Sequence, residues 1–330
     1  MTNPTDIHRQ IQNLRKMHVP NERDAGVRKQ LLRLLEVDAD GEILSVPCRF
    51  TNGKETRGIA VVEPAGGGKT TAISTVLRSI PCLAMNPETE YPRYLELQVP
   101  SPATLKSVGL AILSATGLTG VSERTKVWEI WGTVRYRLGV LGISVLWLDE
   151  AQDLIMARSA IEAESTLRMI KSLMQGENAV IPILSGTERL SEMTSFDPQV
   201  SRRFSIIKPQ ELRHGIDEAN LQGLICEYCR IVDLTPNLPE DLTARLILAS
   251  RHRFGRAIEN IINAIECALE DELRALTQDH FAEAWGMQEG CDPDGNVFWV
   301  SDWMSIRLDK GAEEYEVART KRQQKKLERI

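Results

Sequence analysis

Short apolar segments alternate with longer amphipathic ones from residue 58 to residue 208. Most of the short segments are continuous apolar runs, which is typical of strands that are buried on both faces of a sheet. The segments between them place apolar residues at helical spacing and predict helices. Strands that alternate with helices indicate a parallel sheet covered by helices on both faces. The predicted strands are residues 58–62, 94–99, 144–148, 180–184 and 205–208, and the predicted helices are residues 69–79, 102–116, 127–138 and 160–175.

The strand pattern ends near residue 216, and amphipathic segments bounded by Gly or Pro follow it. These segments predict a small all-α domain, because Gly and Pro mark helix ends. Residues 1–56 predict a helical arm in which Asn21 caps a helix with one apolar face. The predicted helices of the all-α domain are residues 218–232, 239–249, 256–272 and 277–285. The predicted domains are the arm (1–56), an α/β domain (57–212), a helical domain (213–286) and an aromatic segment with a basic tail (287–330).

Composition narrows the classes of function. The chain has 330 residues, with 40 Lys and Arg against 46 Asp and Glu, and its net charge is -6. This balance excludes a uniformly basic coat for nucleic acid but is compatible with a local basic patch. No apolar run approaches the length of a membrane-spanning helix, the N-terminus is polar, and six cysteines in so long a chain do not indicate a disulfide framework. We therefore expect a cytoplasmic protein with no membrane partner.

A phosphate-binding loop is the strongest chemical signal in the chain. The apolar strand 59–62 continues into Glu63-Pro-Ala-Gly-Gly-Gly-Lys-Thr-Thr71, and a helix follows. A strand, a Gly-rich turn and a helix N-terminus direct consecutive backbone N–H groups at one anion. The pattern matches G-x-x-x-x-G-K-[ST] except at its first position, where Glu63 replaces Gly. The nucleotide-binding residues predicted in this loop are Pro64, Ala65, Gly66, Gly67, Gly68, Lys69, Thr70 and Thr71.

Two carboxylates at the end of a later strand complete the predicted site. Residues 145–148 form an apolar strand that ends in Asp149 and Glu150. We expect Lys69 to reach the β- and γ-phosphates of a nucleotide, and the Thr70 hydroxyl and Asp149 to hold Mg²⁺. We expect Glu150 to orient and polarise the attacking water. The cofactors predicted from these residues are ATP and Mg²⁺.

These motifs resemble those of AAA+ ATPases over residues 57–285. The resemblance implies a P-loop parallel sheet sandwiched by helices, followed by a small all-α lid, with MgATP bound between subunits. It implies a polar sensor of the γ-phosphate after the fourth strand, for which Thr187 is favoured over Ser185. It also implies arginines that accelerate phosphoryl transfer: Arg202 or Arg203 from a neighbouring subunit, and Arg256 from the lid.

Within this class, the details are similar to the TniB/TnsC family of transposition regulators, including members carried by CRISPR-associated transposons. The similarity lies in the helical arm, in Asp149-Glu-Ala-Gln152, in Ser185-Gly-Thr-Glu-Arg189 and in Arg253-Phe-Gly-Arg-Ala-Ile-Glu-Asn260. It implies a homo-oligomeric ring or filament on double-stranded DNA, held through the DNA backbone without sequence preference. The implied protein partners are transposase subunits and a TniQ-type target-selection protein, and ATP hydrolysis resets the assembly.

Positive charge for DNA binding is available in two regions. The family resemblance suggests that the region of Lys106, Arg124 and Lys126 lines the DNA, although a solvated helix face explains each of these residues equally well. Contacts of this kind are made to phosphates and weaken with salt. The C-terminal tail offers a further basic cluster, which suits DNA, a transposase or a disordered solubilising end: Arg319, Lys321, Arg322, Lys325, Lys326 and Arg329.

Other functions are compatible with the same residues. One is an ATP-gated scaffold with little turnover; another is a different AAA+ ATPase, such as an initiator-like DNA loader or a secretion-linked ATPase. A loader would be expected to carry a DNA-reading domain, and the segment that follows residue 285 is short for one. Cys226 and Cys229 do not indicate zinc, since a structural zinc site needs four ligands.

Overall fold

A computed structural model describes residues 4–122, 124–154, 160–191, 202–271 and 274–309. Strands and helices alternate through the first part of the chain, and helices dominate the second part. The described strands are β1 (Leu35–Val37), β2 (Ile43–Pro47), β3 (Gly58–Val62), β4 (Met85–Asn86), β5 (Tyr91–Pro92), β6 (Tyr94–Gln98), β7 (Val145–Asp149), β8 (Ile181–Gly186), β9 (Phe204–Ile207), β10 (Thr235–Pro236) and β11 (Ala275–Leu276). The described helices are α1 (Pro4–Lys16), α2 (Glu22–Leu32), α3 (Lys69–Ser79), α4 (Leu105–Ala115), α5 (Val127–Val140), α6 (Ala160–Leu173), α7 (Glu218–Ile231), α8 (Leu242–Ala249), α9 (Phe254–Glu270) and α10 (Gln278–Glu289).

Five of these strands form one parallel sheet in the order β6, β7, β8, β3, β9. Every residue of β3, β7 and β8 is buried, as continuous apolar runs predict. Val62 of β3 pairs with Gly186 of β8, and Leu148 of β7 pairs with Leu184 of β8. The carboxyl ends of the three central strands therefore lie side by side at one edge of the sheet.

The alternation of side chains along the strands produces a core on each face of the sheet. Leu146 and Leu148 of β7 belong to the core formed with α4, α5 and α6. Val145 and Trp147 of the same strand belong to the opposite core, formed with α2 and α3. The sheet is thus covered by helices on both faces.

Helix α2 is fixed at its start by a capping box. The Asn21 side chain accepts a hydrogen bond from the Arg23 N–H at 2.9 Å, and the Asp24 carboxylate accepts one from the Asn21 N–H at 2.7 Å. Val27 and Leu31 on the buried face join the core beside α3. This packing places the first turn of α2, which includes Arg23, against the α/β body.

The chain divides into two units. One unit is His18–Gln210 and contains the parallel sheet; the other comprises Met1–Met17 and Glu211–Ile330 and contains α1 and α7 to α10. Within the second unit, α1 packs against α9, and the Arg15 guanidinium lies 3.0 Å from the Glu266 carboxylate. Among the described residues, no helix combines the length and the apolar character that a bilayer-crossing segment needs.

The elements agree with the sequence-based expectations in the sheet and differ from them at the N-terminus. Strand β3 and helix α3 have the predicted bounds, and the other predicted elements differ by a few residues at their ends. The residues predicted as one arm, 1–56, are divided between the two units: α1 packs on α9, whereas α2 packs on α3 and β3. Helix α1 and the small hairpin of β1 and β2 had no counterpart in the predictions.

A buried ion pair joins the start of β9 to the segment before β3. Arg203 donates from Nε and Nη2 to Glu55 Oε2 at 2.9 and 2.8 Å, and the two side chains are only 5% and 8% exposed. Burial by itself raises the pKa of Glu55, but hydrogen bonds from Arg203 and Thr51 outweigh it and leave the pKa below its ordinary value. Removing one partner of such a pair would leave a buried charge uncompensated.

We expect Arg203→Met to lower the free energy of unfolding by about 3–5 kcal/mol, because Glu55 then remains buried without its cation. Urea denaturation followed by circular dichroism measures this loss. The matched control is the double variant Glu55→Met/Arg203→Met, which removes both charges and should lose far less. A double variant as unstable as the single one would contradict this account of the pair.

The pair also makes stability depend on pH. Because the folded-state pKa of Glu55 is lowered, its contribution is present above the ordinary value of 4.5 and is lost as the pH falls through the folded-state value. In the same denaturation experiment, the wild type should therefore lose stability relative to the double variant on acidification below that ordinary value.

Candidate active site

The phosphate-binding loop connects β3 to α3 at the edge where the central strands end. The Glu63 N–H donates to the Gly186 carbonyl at 3.0 Å, which extends the pairing of β3 with β8 by one residue. Gly66 and Gly68 have φ values of 79° and 101°, which residues with a Cβ rarely adopt. Helix α3 begins at Lys69, directly after Gly68. The loop thus has the strand, turn and helix N-terminus that a phosphate site requires.

The residues predicted to bind nucleotide differ in exposure. The Lys69 side chain is buried in the loop, with the residue only 4% exposed. A buried ammonium group needs polar or charged partners close by. Its Nζ lies 3.7 Å from Glu150 Oε1. The exposed members of the set are Ala65, Gly66, Thr70 and Thr71, the half-buried ones are Pro64 and Gly68, and Gly67 is buried.

Thr70 and Asp149 meet across the edge of the sheet. The Thr70 hydroxyl donates to Asp149 Oδ2 at 2.7 Å. A hydroxyl and a carboxylate at this separation are the hard oxygen donors that Mg²⁺ prefers, and Mg²⁺ commonly completes its shell with water and phosphate oxygens. These two residues fit a magnesium ion, and they are the ones that would hold it.

The Asp149 carboxylate is oriented by a chain of buried hydrogen bonds. The Trp147 indole donates to Ser185 Oγ at 2.7 Å, and the Ser185 hydroxyl donates to Asp149 Oδ1 at 2.6 Å. The Glu150 N–H donates to the same oxygen at 3.0 Å. Because these two bonds hold Asp149 Oδ1, the other oxygen of the carboxylate, Oδ2, points at the Thr70 hydroxyl. Sequence reasoning placed Ser185 only as the less favoured sensor, since its contact with Asp149 depends on the neighbouring strand.

Thr187 lies directly after β8 and is linked to Glu150 through the side chain of Gln152. It is half-buried, and its N–H donates to Gln152 Oε1 at 3.2 Å. The nitrogen of the same amide, Gln152 Nε2, lies 2.5 Å from Glu150 Oε2. The structure therefore brings Lys69, Glu150 and Thr187 to the same edge of the sheet.

The Glu at the first loop position has a partner that the sequence pattern did not reveal. Glu63 Oε1 accepts a hydrogen bond from Arg23 Nη2 at 2.9 Å, with both side chains less than a tenth exposed. The carboxylate lies under Gly67, where an added Cβ would be 2.0 Å from Glu63 Cδ. A charged residue straight after a buried strand needs a partner, and this requirement is the signal that would have prompted a search for Arg23.

The match with a known family agrees with this geometry. A family model described as "Bacterial TniB protein" matches residues 44–214, which is more than half of the chain. The chain belongs to the TniB family. The matched residues include the phosphate-binding loop, Asp149, Glu150 and Thr187, so the predicted family is confirmed over the part of the chain that carries the site.

Solved structures with the same fold come from ORC and CDC6 proteins. The ORC1 protein of Aeropyrum pernix in complex with DNA has a TM-score of 0.59 at 18% identity, covering 82% of this chain and 66% of that one. The ORC2 protein of Aeropyrum pernix (ADPNP–ADP complexes) has a TM-score of 0.54 at 15% identity, covering 84% and 72%. CDC6P from Pyrobaculum aerophilum has a TM-score of 0.55 at 10% identity, covering 82% and 68%.

At these identities the likeness shows a shared fold. It confirms the predicted class, an AAA+ parallel sheet between helices that is followed by a helical unit. The TniB-family chain spans just under two thirds of the length of the ORC1 chain. No curated protein sequence matches it.

The predicted arginines of the α/β unit occupy different environments. Arg202 is exposed, whereas Arg203 is buried and ion-paired with Glu55. A residue that reaches into a neighbouring subunit has to be exposed, so the burial of Arg203 favours Arg202 for that role. A sequence of two arginines does not show which one points inward.

Arg256 lies in the first turn of α9, in the helical unit of this TniB-family protein. Its Nη1 is 4.0 Å from Glu289 Oε1, and Glu289 also accepts two hydrogen bonds of 2.8 Å from Arg251. Burial and the like charges of Arg251 and Arg253 lower the pKa of Arg256. The charges that act on Arg256 are thus mixed: the two neighbouring arginines oppose its positive charge, and the carboxylates of Glu289 and Asp309 favour it.

The candidate DNA-binding residues lie at one end of the packed pair α4 and α5. The Trp131 indole of α5 donates to the Leu105 carbonyl of α4 at 2.9 Å, so Lys106 is close to the first turns of α5. Lys106 is half-buried and engaged in an interaction, whereas Arg124 and Lys126 are exposed. The basic tail, Arg319 to Arg329, lies outside the described residues.

Gly67→Ala is expected to weaken nucleotide binding by at least about tenfold, because its Cβ would displace the Glu63 carboxylate or deform the loop. Isothermal titration calorimetry with MgATP measures the change. The matched control is Gly132→Ala on α5, where an added Cβ meets no atom within 4 Å. Equal affinities for the two variants would show that the close packing of Glu63 and Gly67 does not matter for binding.

Proposed function

We propose that this protein is an ATPase that assembles on double-stranded DNA with MgATP, recruits a transposase to a selected target and is reset by ATP hydrolysis. The observation that carries the proposal is the meeting of Thr70 with Asp149 and of Lys69 with Glu150 at one edge of the sheet. Phosphate-binding, metal-binding and water-activating groups thereby lie within reach of one ligand. Membership of the TniB family supports the link to transposition.

Each residue of the edge has one role in this proposal. The backbone N–H groups of the loop bind phosphate oxygens, and Lys69 neutralises charge on the β- and γ-phosphates. Thr70 and Asp149 would hold magnesium, and the ion would supply further charge neutralisation there. Glu150 accepts a hydrogen bond from the attacking water and takes up its proton.

Residues beyond the loop complete the hydrolytic role. Thr187 responds to the γ-phosphate, and Arg256 of the helical unit binds phosphate oxygens. Arg202 acts from a neighbouring copy, so hydrolysis requires a homo-oligomer, either a ring or a filament. Its exposure supports this role, and such an arginine accelerates phosphoryl transfer by about 10³ to 10⁵.

DNA binding is the second part of the proposal. Arg124 and Lys126, with Lys106 beside them, contact phosphates of double-stranded DNA independently of sequence. The exposure of Arg124 and Lys126 supports this assignment, as does the fold shared with an ORC1 protein solved in complex with DNA. Transposase subunits and a TniQ-type protein are the protein partners that family membership suggests.

An initiator-like DNA loader is the second candidate function. The shared fold with ORC and CDC6 proteins is the observation that favours it. Electron microscopy of the protein with duplex DNA and a slowly hydrolysed ATP analogue separates the two. A filament or ring that captures transposase subunits supports the transposition regulator, and a ring that transfers a helicase to the DNA supports the loader.

Glu150→Gln should bind MgATP with wild-type affinity and hydrolyse it about 10²- to 10⁴-fold more slowly, because the amide cannot accept the proton. Lys69→Ala should lose nucleotide binding, because the buried cation of the loop is removed. Calorimetry and steady-state phosphate release in the presence of DNA measure the two properties.

The matched control is Glu177→Gln, which changes an exposed glutamate of the same unit and should retain both properties. If Glu150→Gln turned over ATP at the wild-type rate, the assignment of Glu150 as the base would be wrong. If the wild type bound MgATP and released no phosphate with or without DNA, the protein would be an ATP-gated scaffold.

Arg124→Ala and Lys126→Ala should each weaken binding to random-sequence duplex DNA and reduce the slope of log K against log salt by about 1. Fluorescence anisotropy over a series of salt concentrations, with the ATP analogue present, measures the slope. The controls are Lys29→Ala on α2 and Arg33→Ala directly after it, since both residues are exposed and lie in the same unit. An unchanged slope for the first pair would place the DNA elsewhere on the protein.

A further inference from the structure

The residue after β7 has an unusual backbone conformation. Glu150 has φ of 55°, in the left-handed region that side chains with a Cβ rarely occupy. A short 3₁₀ turn, Ala151–Leu154, follows it. Strain of this kind persists only where surrounding contacts hold it. The contacts around Glu150 therefore have to hold this conformation.

Gln152 in that turn connects Glu150 to the end of the neighbouring strand. Its Nε2 donates to Glu150 Oε2 at 2.5 Å, and its Oε1 accepts from the Thr187 N–H at 3.2 Å. Gln152 is only 7% exposed, so both ends of the amide are held away from bulk water. One amide thus bridges the carboxylate after β7 and the main chain after β8.

Gly186 makes room for this bridge. A Cβ at position 186 would lie 2.3 Å from Gln152 Oε1, closer than Cβ atoms approach other atoms, and 3.3 Å from the Gln152 backbone nitrogen, which is a tight contact. The last residue of β8 therefore permits the amide to reach the Thr187 N–H. The space at Gly186 and the bond to the Thr187 N–H thus concern the same atom, Gln152 Oε1.

The chemistry of the bridge is specific to an amide side chain of this length. It donates at one end and accepts at the other. A glutamate could accept from Thr187 but would place a second negative charge against Glu150, and a methionine of similar size could make neither bond. Gln152 is not among the predicted phosphate-binding residues, whereas Lys69, which also contacts Glu150, is one of them.

We propose that Gln152 is a positioning residue that fixes the Glu150 carboxylate relative to Thr187. Thr187, which contacts the γ-phosphate, thereby sets the position of Glu150, the base. This inference rests on the proposed function, in which Glu150 activates water and Thr187 responds to the phosphate. Gln152 itself touches neither nucleotide nor the attacking water. Its loss misplaces Glu150, and misplacement of about 1 Å can cost about 10²-fold in rate.

The first test separates binding from turnover. Gln152→Met and Gln152→Glu should each lower kcat for ATP by about 10- to 100-fold, while the Kd for MgATP, measured by calorimetry, changes by less than about twofold. A role limited to stability would change both or neither. Unchanged kcat in Gln152→Met, or a matching loss of nucleotide affinity in both variants, overturns the inference.

The second test displaces the amide without altering it. Gly186→Ala should lower kcat to a similar extent, because its methyl group occupies the place of Gln152 Oε1. The double variant Gln152→Ala/Gly186→Ala should be no slower than Gln152→Ala alone, since the obstructed group is gone. Losses that multiply in the double variant overturn the inference.

The outcomes also distinguish this inference from the proposed function. If wild-type protein hydrolyses ATP and Gln152→Met does so equally fast, Gln152 has no positioning role and the ATPase assignment stands. If wild-type protein hydrolyses no ATP, the proposed function fails and the inference fails with it.

Discussion

The hydrogen bond between Thr70 and Asp149 is the contact on which the site depends. It joins two residues that are 79 positions apart in the chain, and it forms because β8 lies between β3 and β7 in a parallel sheet. The carboxyl ends of parallel strands meet at one edge, and α/β proteins commonly bind ligands there. Sheet order, and not any local feature of the loop, therefore brings together the two residues that are proposed to hold magnesium.

Opposite charges are arranged around this contact within the α/β unit. Lys69 lies beside Glu150, and Arg23 is paired with Glu63 beneath the loop. Buried charges are tolerated where they are paired and hydrogen-bonded. The loop thus rests on ionic contacts that involve α2 as well as the sheet, which extends the site beyond the residues of the phosphate-binding pattern.

The sequence was sufficient for the features that depend on local pattern. Continuous apolar runs identified the strands of the sheet, and the Gly-rich turn before Lys69 identified the loop. It was insufficient where a pairing joins distant segments: Arg203 and Glu55 are separated by 148 positions, and adjacent arginines give no sign of which one is buried. The bridge made by Gln152 was missed for the same reason, because its second partner, Thr187, follows β8, whereas Gln152 follows β7.

The carboxylate at the first loop position has a consequence for recognising and transplanting such loops. A sequence search that requires glycine at position 63 does not find this chain, although the loop has the expected geometry. Glu63 and Arg23 form one buried unit, so grafting residues 63–70 into another scaffold without an arginine in the place of Arg23 would introduce an uncompensated anion. The smallest transferable unit that contains this loop consequently begins forty residues upstream of Glu63, at Arg23.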